Sequence, residues 1–335
     1  ILIMDEPTAA LSRRESEELY AISRRLRDQD TAIILISHRF EDIYGLADRV
    51  TVFRDARYIG TWDMPVDEHV LVHHMVGREI TQLFPKKKTE IGAELLKVDR
   101  LSRTGYFRDV SLNVRAGEIV GLTGLVGAGR TEVVEAIFGI TRPDSGEVYF
   151  EGQKITYVQP IEAMKLGIGL LPEDRQKQSL LLEWSINHNI SLSVLEKCLR
   201  GVFLDRSREY KFSDGLKTLL EVKAPDSHTH TGALSGGNQQ KVVVAKQLAA
   251  DPKLIILDEP TKGVDVGSKA QIYEIMSNLA AQGIGILMIS SEMPEVMNMS
   301  DRIYVMSEGH ISAEFEAEGL TQDQILKAAM PKTKE

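Results

Sequence analysis

The chain holds a single cysteine, Cys198, among 335 residues. That excludes a disulfide framework and fits a reducing compartment. Basic residues are not in excess: 40 Lys and Arg stand against 49 Asp and Glu, a formal charge of −9. Nucleic-acid binders ordinarily carry a basic face, so no nucleic-acid partner is expected. No apolar run approaches the ~20 residues that cross a bilayer, and no stretch reads as a secretory signal. Membrane association is therefore expected only through a partner protein. Aromatic residues are few, at 6%, but 43% of the chain is apolar. That is ample to bury the cores of about two domains.

What is present is organised around residues 234–269, LSGGNQQKVVVAKQLAADPKLIILDEPTKGVDVGSK. A serine and two glycines open an apolar-periodic helix, and an all-apolar strand, Leu254 to Leu257, runs into Asp258 and Glu259. Free N–H groups at a helix start favour an oxyanion, and a strand-end Asp favours Mg²⁺. Taken singly, LSGG could be a loose turn and DEPT a capped helix start. In this order and spacing, the pair points to a nucleoside triphosphate.

Residues 1–60 repeat that pattern. Strand ILIM runs into Asp5, followed by a helix over 13–29, a strand over 32–36, a loop at His38, a helix over 40–47 and a strand over 49–53. Asp5 matches Asp258 and His38 matches Ser291, both 253 residues apart (258 − 5 and 291 − 38), with no gap between them. This is an internal duplication, and βαβ alternation makes both copies α/β with a largely parallel sheet. The chain opens at Ile1 inside a strand, and it reads as a fragment. By comparison with the second copy, roughly 160 residues (258 − 95) of the first are missing.

Between the copies, residues 60–93 read as a short amphipathic helix and a polar linker. His69, His73 and His74 have helix-compatible spacing, but a partly exposed helix face is preferred to a metal site. Lys86–Lys88 read as solvated linker. From Leu95 come short strands, then GLVGAGRT, with Gly124, Gly127, Ala128, Gly129, Arg130 and Thr131 between a strand and a helix. That is the context of a phosphate-cradling P-loop, with the Thr131 hydroxyl available to Mg²⁺. Arg130 stands where the motif calls for lysine. A planar guanidinium does not replace a compact ammonium between phosphates, so nucleotide binding is expected and hydrolysis is in question. Residues 176–233 read as helical, and 317–335 as a terminal helix and tail.

LSGGNQQK followed by LIILDEPT resembles the signature motif and Walker B of ATP-binding cassette (ABC) transporter ATPases. LSGGN, SSEMPEV and EDR at 173–175 resemble the tandem-cassette subunits of bacterial monosaccharide importers for ribose, galactose, rhamnose and related sugars. The resemblance implies a P-loop NTPase fold with a mostly parallel core, an antiparallel β subdomain and a helical subdomain. One complete copy is expected over 94–316, following the C-terminal part of a first over 1–60 and a connecting segment over 61–93.

It also implies roles for residues. ATP with Mg²⁺ would lie between two cassettes, in cis or in trans, with P-loop and Walker B from one and signature from the other. Asp5 and Asp258 would orient Mg²⁺, Glu6 and Glu259 would polarise the attacking water, and His38 would contact the γ-phosphate. Ser235, Gly236 and Gly237 would close the opposite site. Glu173 falls where the family carries the glutamine of a loop that contacts Mg²⁺ and the transmembrane partner; a plain solvated turn is the alternative. Tyr106, or equally Phe107, lies where an aromatic ring stacks on adenine. Ser291 in place of the switch histidine joins Arg130 in marking the second site as degenerate.

The implied activity is a carbohydrate-transporting ATPase on the cytoplasmic face of the bacterial membrane. Its partners would be integral-membrane permease subunits and, indirectly, a periplasmic sugar-binding protein. The fragment alone is expected to hydrolyse little ATP. Two other readings stand beside this one: a soluble tandem ABC ATPase acting on ribosomes or DNA, and a non-hydrolysing nucleotide sensor.

Overall fold

A computed structural model describes residues 1–8, 11, 13–37, 39–54, 57–76, 84–156 and 159–331. The chain divides into two compact units, Ile1–Leu83 with Asp265–Gly267, and Phe84–Val264 with Ser268–Glu335.

In the first unit, strands Leu2–Asp5 and Ile33–Ile36 pair in parallel, with Asp5 opposite Ile36. Helix Arg13–Arg27 connects them, helix Phe40–Leu46 follows, and Arg49–Arg54 pairs antiparallel with Arg57–Asp63. Strand residues alternate between half-buried and exposed, because only one face of the two-stranded sheet is covered. Helix Glu68–Val76 buries Leu71 and Val72. Among the described residues, no group of three or more His, Cys, Asp or Glu side chains could hold a metal. The His74 ring instead lies 4.6 Å from that of Trp62.

The second unit is built on a six-stranded sheet. Its order is Ile168–Leu171, Leu254–Asp258, Gly285–Ile289, Ile119–Gly124, Arg302–Ser307, His310–Glu316. The first five strands are parallel and the last returns antiparallel. The central strands read as unbroken apolar runs because both faces are covered. Ile255, Leu257, Ile286 and Met288 face a core with helices Gly236–Leu248, Val266–Ala281 and Gln322–Ala329. Leu254, Ile256, Leu287 and Ile289 face helix Arg130–Phe138 and a four-stranded antiparallel sheet. That second sheet contains Phe107–Arg115, Glu94–Arg103, Ser145–Phe150 and Gln153–Lys154.

Two expectations are corrected. The stretch 176–233 is not helical throughout: Leu199–Arg200 and Phe203–Leu204 form a small hairpin, turned at Gly201 with φ +65°. Lys86 is not solvated linker, whereas the Lys87 and Lys88 side chains are exposed as expected. Lys86 Nζ lies 2.7 Å from Asp301 Oδ1 and also reaches the Ser300 carbonyl, while Lys87 N–H donates to Ser277 Oγ at 2.7 Å. Phe84 stacks on Tyr273, with ring centroids 5.1 Å apart. A lysine run looks like solvent-facing charge until the fold supplies a carboxylate from residue 301.

The base of the Ile119–Gly124 strand is clamped by a buried ion pair. Arg302 Nε donates to Glu118 Oε1 at 2.6 Å, its Nη1 to Glu314 Oε1 at 2.5 Å and its Nη2 to the Asn113 carbonyl at 3.1 Å. Glu118 is fully buried and the Glu314 side chain is half exposed. Glu118→Ala strands the guanidinium and should cost about 3 kcal/mol in urea unfolding. Glu314→Ala should cost less than about 1 kcal/mol. Equal losses would show that burial does not set the strength of this network.

Candidate nucleotide site

The strand Ile119–Gly124 is buried at every residue and delivers its end to a loop, Leu125–Gly129, in which Val126 is 92% exposed. Gly129 has φ +93°, and a Cβ there would lie 2.9 Å from the Tyr106 carbonyl oxygen. Only glycine therefore lets the loop turn into helix Arg130–Phe138 at this point. Gly124 and Gly127 also have positive φ, and Ala128 N–H donates to the Leu125 carbonyl at 3.0 Å, curling the backbone. No side chain caps the helix start, so its N–H groups suit an anion.

Thr131, on the first turn, donates to Asp258 Oδ2 at 2.8 Å. The other Asp258 oxygen is buried with no hydrogen-bond partner. A carboxylate oxygen lacking a donor beside a threonine hydroxyl fits a divalent cation. Mg²⁺ keeps most of its shell as water and phosphate oxygens, so one or two protein oxygens suffice. Burial pushes the Asp258 carboxyl up to about 6; the Thr131 hydroxyl opposes this, Glu259 and Glu173 add to it, and Arg130 opposes it.

Arg130 does not project freely into the loop. Its Nη1 lies 3.6 Å from Glu259 Oε1, with both side chains about 90% buried, and that nitrogen has no hydrogen-bond partner. Glu259 itself has φ +48°, and its N–H donates to the Ile289 carbonyl at 2.9 Å. Glu173 is bound by Lys262, so the 173–175 segment is no plain solvated turn. Arg175 donates from Nη1 to the Lys262 carbonyl at 2.7 Å and from Nη2 to the Gly263 carbonyl at 3.1 Å. Neither cation was given a role from sequence, although Arg175 belongs to EDR and Lys262 directly follows LIILDEPT.

Ser235 precedes helix Gly236–Leu248 and is exposed; its Oγ accepts from Asn238 Nδ2 at 2.9 Å. Gly237 is buried, and a Cβ there would lie 2.1 Å from Ser268 Oγ. Close helix packing requires this glycine, in addition to any role of its N–H. A Cβ on Gly236 would lie 2.7 Å from Arg175 Nη2, so the 173–175 segment lies against the start of this helix. Tyr106 is half exposed beside Gly129, with the Arg103 guanidinium 4.2 Å from its ring centroid. Phe107 is buried in the core, which leaves Tyr106 as the available ring.

In the first unit Asp5 is exposed at a strand end. Glu6 has φ +46°, and its N–H donates to the Ile36 carbonyl at 2.8 Å, the geometry seen at Glu259. His38 lies outside the described residues.

A glycine loop entering a helix, a hydroxyl-bonded aspartate at the next strand end but one and a glycine-started helix in the same unit define a P-loop nucleotide-binding cassette. Residues 107–262 match the family model described as ABC transporter. Ribose import ATP-binding protein RbsA of Geobacillus kaustophilus is 47% identical over 331 residues, 98% of this chain and 67% of that protein. RbsA 1 of Rubrobacter xylanophilus is 48% identical over 330 residues, 98% and 66%. The chain thus spans about two thirds of the length of these curated relatives. Among solved structures, a nucleotide-free ATP-binding cassette from an ABC transporter is 27% identical with TM-score 0.58, covering 67% of this chain and 92% of that one. Another ATP-binding cassette is 25% identical with TM-score 0.62, covering 71% and 99%. The chain belongs to the ATP-binding proteins of ABC transporters.

The Asp258 carboxyl binds its proton more tightly in the folded chain than in the unfolded one, so the nucleotide-free protein loses stability as pH rises from about 4 to about 6. Asp258→Asn should therefore stabilise it by about 1–3 kcal/mol at pH 7.5 and by roughly half as much at pH 5. A pH-independent difference in thermal unfolding would contradict this assignment.

Proposed function

We propose that this chain is part of the ATPase that drives sugar import through a membrane permease. The observation that carries the reading is the Thr131–Asp258 bond beneath a glycine loop, in a chain related along 98% of its length to ribose import ATP-binding proteins. The second unit binds ATP at Gly124–Thr131, with Mg²⁺ held at Thr131 and Asp258 and adenine against Tyr106. Residues 1–60 carry Asp5, Glu6 and His38 of the first cassette's site, and Ser235, Gly236 and Gly237 offer the signature to a facing cassette. The permease anchors the ATPase to the cytoplasmic face of the cell membrane, and a periplasmic binding protein selects the sugar.

The two sites are unequal. At Gly124–Thr131, Arg130 lies against Glu259, so a cation of the chain already faces the carboxylate that would polarise water. Ser291, exposed just beyond the end of its strand, offers a γ-phosphate a hydroxyl in place of a ring nitrogen. This geometry supports a second cassette that binds nucleotide without efficient turnover, while the first site hydrolyses it.

In the complete tandem protein with its permease, Glu6→Gln should abolish steady-state ATP turnover and Glu259→Gln should leave most of it; equal losses would refute the asymmetry. Tyr106→Ala should weaken nucleotide binding to this chain by about three- to tenfold. Unchanged affinity would remove that ring from the site.

A further inference from the structure

Behind the glycine loop sits a buried carboxyl that the motifs leave without a role. Glu295, on helix Met293–Met299, is 1% exposed. Its Oε1 accepts from Thr261 Oγ1 at 3.2 Å, and its Oε2 accepts from the Ser290 hydroxyl. Ser290 Oγ in turn accepts the Glu292 N–H at 3.0 Å, and the Ser290 carbonyl accepts from Thr123 Oγ1 at 2.9 Å. Thr123 precedes Gly124, and Thr261 lies just beyond Asp258 and Glu259. One carboxyl therefore braces the loop after the strand-end acids against the segment 290–292 and the root of the glycine loop.

The first unit builds the same cluster from residues 253 positions earlier. Thr8 and Ser37 hydroxyls donate to Asp42 Oδ2 at 2.6 and 2.7 Å, and the Tyr20 hydroxyl donates to Oδ1 at 2.5 Å. Arg39 N–H donates to Ser37 Oγ at 3.0 Å, as Glu292 does to Ser290. Tyr273, the counterpart of Tyr20, is buried beside Thr261 and Glu295. Filling such a place with a carboxyl is costly unless the bonds it makes are needed. The cluster occurs in both units, with Asp in one and Glu in the other.

Strand order shows what the brace controls. The Gly285–Ile289 strand lies between the strands ending at Gly124 and at Asp258. A residue just past its end therefore stands between the glycine loop and the strand-end acids. A nucleotide seated on that loop with its cation at Asp258 places its terminal phosphate there. We propose that Glu295, and Asp42 in its own unit, are positioning residues that hold the segment 290–292, and Ser37 with Arg39, where a γ-phosphate is sensed, so that the site tells ATP from ADP. This inference rests on the nucleotide-binding reading of the loop.

The test is titration of the 335-residue chain with MgATP and MgADP, alongside thermal unfolding. Glu295→Ala should bind MgATP about five- to tenfold more weakly with MgADP affinity unchanged, the loss expected for an unmade hydrogen bond near the ligand. Glu295→Gln should restore the preference, because its carbonyl can accept from Thr261 and its amide can donate to a rotated Ser290 hydroxyl. Ser290→Ala, which keeps the carboxyl, should show the same selective loss in smaller measure, and it serves if the Glu295→Ala chain does not fold. Equal weakening for both nucleotides, or an unaltered preference, would overturn the positioning role alone. An unmodified chain that binds neither nucleotide would overturn the nucleotide reading and this inference with it.

Discussion

The arrangement of the second unit depends on one hydrogen bond across a gap. The strands that end at Gly124 and at Asp258 are not neighbours; Gly285–Ile289 lies between them. Thr131, on the first turn of the helix that follows the glycine loop, reaches over that strand to Asp258 at 2.8 Å. Parallel strands place all their carboxyl ends on one edge, and a ligand site forms where chain order reverses along the sheet. The bond joins an uncapped helix start to a buried carboxylate, and the two together would suit a phosphate with its cation. Most other features of the site orient one of these two groups.

The duplication makes the local chemistry comparable within one chain. Glu6 and Glu259 both sit at left-handed φ with their N–H groups bound to Ile36 and Ile289, so the acid after each strand end is turned the same way. Beneath them the electrostatics diverge. At Asp42, burial is outweighed by the hydroxyls of Thr8, Tyr20 and Ser37 and by Arg39, and its carboxyl is held below the ordinary range. At Glu295 burial dominates, the Ser290 hydroxyl opposes it and Glu292 adds to it, pushing the carboxyl up to about 7. Arg39 and Glu292 occupy matching positions with opposite charge. The two copies keep a common scaffold and differ in the charges close to their acids.

Motifs with a local cause were legible in the sequence. The glycine loop, the Leu254–Asp258 strand, the Ser235 helix start and the 253-residue repeat all declare themselves through spacing, periodicity or backbone requirement. Contacts whose partners are distant in sequence were not. Lys86 reads as solvated because Asp301 is 215 residues away (301 − 86). The Arg302–Glu118 clamp and the Glu295 cluster were not legible either, although Ser290 and Glu295 lie within SSEMPEV and Thr261 within LIILDEPT; their meaning comes from burial, which no single-sequence pattern reports for a charged side chain. The Leu199–Leu204 hairpin was hidden inside a stretch whose helices dominate its composition. Arg130 was read as a departure from the motif, but its pairing with Glu259 required coordinates.

That pairing underlies the proposed asymmetry of the two sites. In place of a lysine free to reach phosphate, the second unit carries a guanidinium already engaged with the acid of its own strand end. We propose that such a site holds nucleotide through its backbone and its Thr131–Asp258 pair without being poised for hydrolysis. Calorimetric titration of the 335-residue chain with ATP, with and without Mg²⁺, tests this most directly. The account predicts one nucleotide per chain, with an Mg²⁺-dependent part of the affinity that disappears in Thr131→Val. Absence of binding, or an Mg²⁺ dependence untouched by that substitution, would contradict it.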